Sequence, residues 1–201
     1  KKIDSRPADD SLYECVLHTI CENCTINDRT ALEENLRQLL KIERKAPLHI
    51  SDILTSNMIT LDIDAQTWEQ AVRSSAQPLV EMDCVEPRYV NAMVDIIREA
   101  GPYVVLVPGV AMPHALPSDG AKRACMSLAT LKKPVEFGNE ANDPVRLVIC
   151  IGAIEREDHM REMSELIGLV GDKQIIEEIC DAKDKERIVE LIRGFDINKE
   201  A

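Results

Sequence analysis

No block of basic residues longer than the dipeptides Lys1-Lys2 and Lys132-Lys133 occurs in this chain, and 24 Lys and Arg stand against 36 Asp and Glu, a net charge of −12 with a pI near 4.8. That balance excludes direct nucleic-acid contact by this segment, which would need a cationic face able to displace counterions. No helix-turn-helix or RNA-binding module is recognisable either. No apolar run is longer than Tyr103 to Val107, far short of the roughly 20 residues that cross a bilayer, so membrane insertion is not expected. A secretory signal, internal repeats and low-complexity tracts are likewise absent. Seven cysteines, an odd number scattered along the chain, make no disulfide framework and read as reduced thiols of a cytoplasmic protein. Cys21-Glu-Asn-Cys24 has metal or redox spacing, but no second pair and no histidine cluster completes a zinc site. Neither a metal nor another cofactor is expected.

What remains is a chain of 201 residues, 45% hydrophobic, enough for one domain of about 150 residues and an appendage. Its acidity suits cationic protein partners, and equally serves solubility. It opens at Lys1 without a methionine, as tag cleavage, processing or excision from a longer polypeptide would each produce.

Leu12, Val16, Leu17 and Ile20 share one helical face, and Leu32, Leu36, Leu39 and Leu40 another, which predicts an N-terminal helical hairpin over residues 1–48. It would pair with itself in a homodimer or with its own domain. Pro47 ends its second arm, and Leu48 to Leu54 reads as a connector into a main domain over residues 49–201. There, the alternating run Ile59 to Ile63 suits a strand. A helix from about Thr67 has Trp68, Ala71, Val72, Ala76 and Leu79 inward, and a second runs from Pro87, through Tyr89, Met93, Ile96 and Ile97, to Gly101. Further strands are expected at Tyr103 to Val107, Ala111 to Met112, Cys125 to Leu131 and Arg146 to Ile151. Helices near Asp158 to Val170, Lys173 to Cys180 and Asp184 to Gly194 follow. The predicted class is α/β: a mixed β-sheet of about five strands flanked by helices, with an N-terminal helical extension.

Only four histidines occur. His18 and His49 fall in the hairpin and the connector and read as structural. His114 ends the segment Pro108-Gly-Val-Ala-Met-Pro-His114, after an apolar run that argues for a buried strand and a proline that stops any ladder. An imidazole is nucleophilic and largely neutral near pH 7, so His114 is a candidate for carrying a group covalently. His159 opens a helix on its inward face, where the N-terminal dipole favours a neutral ring and attracts an anion, though a packing or capping role fits as well. Arg98 lies in the last turn of its helix, where a cation is favourable on electrostatic grounds alone; its guanidinium also suits a bidentate phosphate clamp.

The stretch Tyr103 to Ala115, ending Gly-Val-Ala-Met-Pro-His-Ala, resembles the active-site signature of the mannitol/fructose class of enzyme IIA domains of the bacterial phosphoenolpyruvate-dependent sugar phosphotransferase system. Gly101-Pro102-Tyr103, Phe137-Gly138, Asn142-Asp143-Pro144-Val145 and His159 ahead of Leu166 agree with it in order. The likeness runs over Leu48 to Ile192 and is strongest to the ascorbate-like branch. It implies that His114 accepts a phosphoryl group from the carrier protein HPr and passes it to a cysteine of a IIB component. It implies that His159 is the second active-site histidine, steadying the transferred group. The mannitol branch has an arginine sixteen residues before the signature histidine, the spacing of Arg98 from His114; other branches vary here.

Two functional readings follow. The first is a phosphocarrier in sugar uptake. The second is a regulatory IIA-like domain at the C-terminus of a phosphotransferase-controlled transcription activator or antiterminator, suggested by the helical first 48 residues, which are similar to the segment joining the IIB-like and IIA-like domains of those regulators. The phosphate loop of a IIB domain is not found in the chain.

Overall fold

The computed structural model describes residues 50–152 and 166–200, with Ile20, Leu32 and Leu36 as isolated positions; for 196–200 only the backbone is described. The chain divides into two compact units, Lys1–Pro47 and Leu48–Ala201, and the second carries the fold discussed below. The expectations for the N-terminal hairpin, His18, Cys21, Cys24, His49 and His159 fall outside the described residues.

The sheet contains β1 (Ile59–Ile63), β2 (Val105–Val107), β3 (Val110–Ala111), β4 (Cys125–Val135) and β5 (Val145–Gly152). Their order is β1-β4-β5-β3-β2. β1 runs parallel to β4 and β3 parallel to β5, whereas the β4–β5 and β2–β3 pairs are antiparallel. The sheet is therefore mixed. Along β5, Leu147 to Ile151 are all fully buried. Because successive strand residues point to opposite faces, both faces of the sheet are covered.

Helix α1 is one turn, Ile50–Ile53. Ile50 and Leu54 are each only 1% exposed, so the expected connector is core: its apolar spacing anchors the start of the domain. Helix α2, Trp68–Glu81, is capped by Thr67, whose hydroxyl accepts from the Gln70 N–H. This satisfies one of the donors that a helix start leaves open. α2 packs on the central strands, and Ser127 of β4 donates to the carbonyl of Ser75 across that contact at 2.7 Å. Pro87 opens helix α3, Pro87–Ala100, and Gly101 ends it at φ 82°, a conformation glycine adopts freely. Residues 166–171 are helical, followed by α4 (Lys173–Asp181) and α5 (Lys185–Glu200). Ile179, Ile188 and Ile192 are buried from these last two helices.

Two further expectations are corrected. Tyr103 to Val107 is not a buried strand: β2 is three residues long and lies at the sheet edge. Its apolar residues divide between the core (Val104, Val105) and solvent (Tyr103 39% and Leu106 44% exposed). Nor does Pro113 end the ladder. The Ile151 N–H donates to the Pro113 carbonyl at 3.0 Å, and His114 forms a parallel bridge to Ile151. At that rung Pro113 contributes an acceptor only, so its missing N–H costs nothing.

Candidate functional site around His114

His114 stands where the chain, after β3, leaves the sheet beside the end of β5. Met112 and Pro113 hold it there. Met112 is fully buried and its N–H donates to the Val104 carbonyl at 2.9 Å, while Pro113 is tied to Ile151. Burying a side chain of that size contributes roughly 1.5–3 kcal/mol, so the residues before the histidine are firmly seated. The imidazole is half-buried, and its Nδ1 lies 2.9 Å from the Met112 carbonyl. A carbonyl oxygen can only accept, so Nδ1 carries the proton; in the neutral ring the lone pair is then on Nε2. Local backbone geometry thus selects Nε2 as the basic nitrogen.

Two turns flank the histidine segment in sequence. Tyr103 packs against His114 in a T-shaped arrangement, ring centroids 5.9 Å apart at 89°. Partial burial holds its phenol above the ordinary value, in the neutral form. After His114, Leu116 is 64% exposed, and its N–H donates to Asp119 Oδ2 at 3.0 Å. Tyr103, Leu106 and Leu116 are thus exposed apolar side chains on the segments that flank the imidazole in sequence.

The turn from Phe137 to Asp143 is tied to Val105 at the start of β2. Asp143 Oδ2 accepts three backbone N–H bonds, from Phe137 at 3.0 Å, Gly138 at 2.7 Å and Asn139 at 2.8 Å. The side-chain amides of Asn139 and Asn142 donate to the Val105 carbonyl at 3.1 and 2.9 Å, and the Gly109 N–H donates to the Asn142 carbonyl at 2.8 Å. Phe137 packs on Trp68, centroids 6.3 Å apart. In sequence, Asn142-Asp143-Pro144 reads as ordinary loop chemistry; its role emerges only when the sheet brings it to β2.

Arg98 is exposed in the last turn of α3 and ion-paired with Asp95 at 2.8 Å. Among the described residues no cluster of three or more His, Cys, Asp or Glu is placed to hold a metal, and no helix is long and apolar enough to cross a membrane. Cys84, Cys150 and Cys180 are free thiols, and Cys84, Cys125 and Cys150 are buried. Sequence reasoning missed Asn139 and the hydroxyl of Tyr89, which lies against Ala115. A signal for the latter exists in the rule that a tyrosine facing the core needs a partner for its O–H.

The ascorbate-specific PTS system EIIA component of Shigella boydii is 37% identical over 147 residues, 72% of this chain and 96% of that protein. Among solved structures, the mannitol-specific cryptic phosphotransferase enzyme IIA CmtB of Escherichia coli superimposes with a TM-score of 0.66 at 31% identity, covering 72% of this chain and 98% of that one. The IIA mannitol chain of Escherichia coli, solved in complex with phosphorylated enzyme IIB mannitol, gives a TM-score of 0.62 at 31% identity, with coverage of 70% and 97%. The family model described as phosphoenolpyruvate-dependent sugar phosphotransferase system, EIIA 2, matches residues 52–194, and the chain belongs to that family.

Proposed function

We propose that this chain is a cytoplasmic phosphocarrier that accepts a phosphoryl group from phosphorylated HPr on Nε2 of His114 and passes it to a IIB component in sugar uptake. The observation that carries this reading is the bond from His114 Nδ1 to the Met112 carbonyl, which leaves Nε2 as the basic nitrogen of a half-buried ring. The Nε2 lone pair attacks phosphorus, and the bond from phosphorus to the donor's leaving atom breaks as the new N–P bond forms. The ring, still protonated on Nδ1, becomes cationic, and the Met112 carbonyl dipole stabilises that charge. In the second step a cysteine thiolate of the IIB component attacks, the N–P bond breaks, and the neutral ring is restored.

In-line transfer through a loose transition state asks for alignment and exclusion of water rather than further covalent chemistry. Tyr103, Leu106 and Leu116 supply an apolar surface that a docked partner would close. We assign His159 the part of second histidine, donating to the phosphoryl oxygens. Its support is the family pattern and its place in the sequence, ahead of Leu166 as in the family. Arg98 is the proposed phosphate-binding residue. Its present partner Asp95 is an exposed ion pair, and such pairs contribute only about 0–1 kcal/mol, so a phosphoryl dianion competes readily for the guanidinium. The regulatory reading draws no support from the relatives named above, whose names are those of transport-system components.

Incubation with phosphoenolpyruvate, enzyme I and HPr tests the reading. One acid-labile phosphate is expected on the wild type and none on His114→Ala, while His159→Ala mainly impairs onward transfer. Equal labelling of His114→Ala and wild type would refute the assignment.

A further inference from the structure

Helix α3 sends one side chain to the histidine segment. Tyr89 is fully buried, and a phenylalanine would provide the same apolar bulk. Its hydroxyl accepts from the Ala115 N–H at 3.2 Å and lies 3.0 Å from both the Ala115 and the Ile151 carbonyls, which share its one proton. All of these groups belong to the residue directly after His114 and to the residue that bridges it.

The register explains why a hydroxyl is there. In a parallel ladder centred on His114, the bond from the Ile151 N–H to the Pro113 carbonyl is followed by one from the Ala115 N–H to the Ile151 carbonyl. The first is present at 3.0 Å. At the second, the Tyr89 hydroxyl takes part as well, accepting from the Ala115 N–H at 3.2 Å and lying 3.0 Å from the Ile151 carbonyl. The residue directly after His114 is thereby fastened to both β5 and helix α3.

We propose that Tyr89 is a positioning residue for His114: its hydroxyl joins one rung between the histidine segment and β5, tying Ala115 and Ile151 together, and so sets where the imidazole stands. This rests on the reading of His114 as the phosphoryl acceptor. Tyr89→Phe keeps the apolar bulk but removes the bonds that fasten Ala115 and Ile151 to α3, so the segment that carries the ring resettles against β5. Small misplacement of a reacting atom slows transfer on the order of tenfold to a hundredfold.

The test compares wild type and Tyr89→Phe by nitrogen-resolved NMR of the His114 ring and by transfer kinetics from phosphorylated HPr. Expected are shifted His114 ring and Ala115 amide resonances and a kcat lowered about tenfold or more at nearly unchanged KM. Unchanged ring resonances, or unchanged kcat in a phosphorylatable wild type, would overturn the proposal. Should Tyr89→Phe fail to fold, the wild type alone decides: a slowly exchanging Tyr89 hydroxyl proton close to the Ala115 amide supports the rung, and its absence refutes it. A wild type that takes no phosphate sinks the phosphocarrier reading, whereas the ring resonances still judge the rung.

Discussion

The ring of Tyr103 stands perpendicular to the imidazole of His114, centroids 5.9 Å apart, and fixes the face the imidazole presents. Edge-to-face pairs contribute about 0.5–1.5 kcal/mol beyond their buried area. Tyr103→Ala should therefore slow phosphoryl acceptance up to roughly tenfold, whereas Tyr103→Phe keeps the ring and should stay within about twofold of wild type. Single-turnover transfer rates check both; a slow Phe variant would mean that the phenol oxygen, not the ring, matters.

Asp143 closes the turn that is bonded to Val105 of β2, with one carboxylate oxygen accepting three backbone N–H groups. Asp143→Ala leaves those donors without their acceptor and should cost about 2 kcal/mol of stability. Asp143→Asn retains one acceptor oxygen and should cost less. Urea midpoints order the three proteins, and an Ala variant as stable as wild type would show that water replaces the carboxylate without loss.

Gly152 pairs with Cys125 across β4 and β5. A methyl group on it would stand 2.7 Å from Cys125 Sγ and 3.1 Å from Val85 Cγ1, both in the packed core. Gly152→Ala should destabilise by about 1–3 kcal/mol. Adding Cys125→Ala makes room, so the double variant should be more stable than the sum of the single effects by about 1 kcal/mol. Strict additivity in thermal melts would argue against the contact.

Burial pushes the Cys150 thiol up to about 12 and raises the Tyr89 phenol further still. The folded chain keeps both protons while the unfolded chain releases them from near the ordinary values of 9.0 and 10.0. Their contribution is therefore complete below pH 9 and falls as pH rises, from about 9 to about 12 for Cys150 and from about 10 upward for Tyr89, each with a limiting slope of about 1.4 kcal/mol per pH unit. Cys150→Ala should flatten the decline from the lower pH and Tyr89→Phe from the higher. Urea midpoints between about pH 8 and 11 measure this, and slopes identical to wild type in both variants would contradict it.

Where local chemistry decided the structure, the sequence could be read to the residue. β1 occupies Ile59–Ile63 as its alternation predicts, Thr67 caps α2, and Pro87 and Gly101 bound α3. These signals are a period, a hydroxyl, a fixed φ and a residue free to take positive φ. Reading was weaker where tertiary register decided. Five apolar residues from Tyr103 look like an interior strand, yet Tyr103 and Leu106 face outward, and composition does not separate a buried run from an edge whose apolar side chains line a site. β4 continues past its apolar run through Lys132-Lys133-Pro134 to Val135 because β5 still offers it a partner in Val145. His114 was legible from its motif. The selection of Nε2, the turn held by Asp143 and the Tyr89 rung were not, since each depends on which carbonyls and amides the fold brings together.

The measurement that bears most directly on the central claim is the site of attachment in the phosphorylated protein. Phosphorus and nitrogen NMR of the chain labelled through enzyme I and HPr should show a single phosphohistidine, bonded at Nε2 of His114, with Nδ1 still protonated toward the Met112 carbonyl. Phosphate on Nδ1, or on any residue in a His114→Ala chain, would contradict the account.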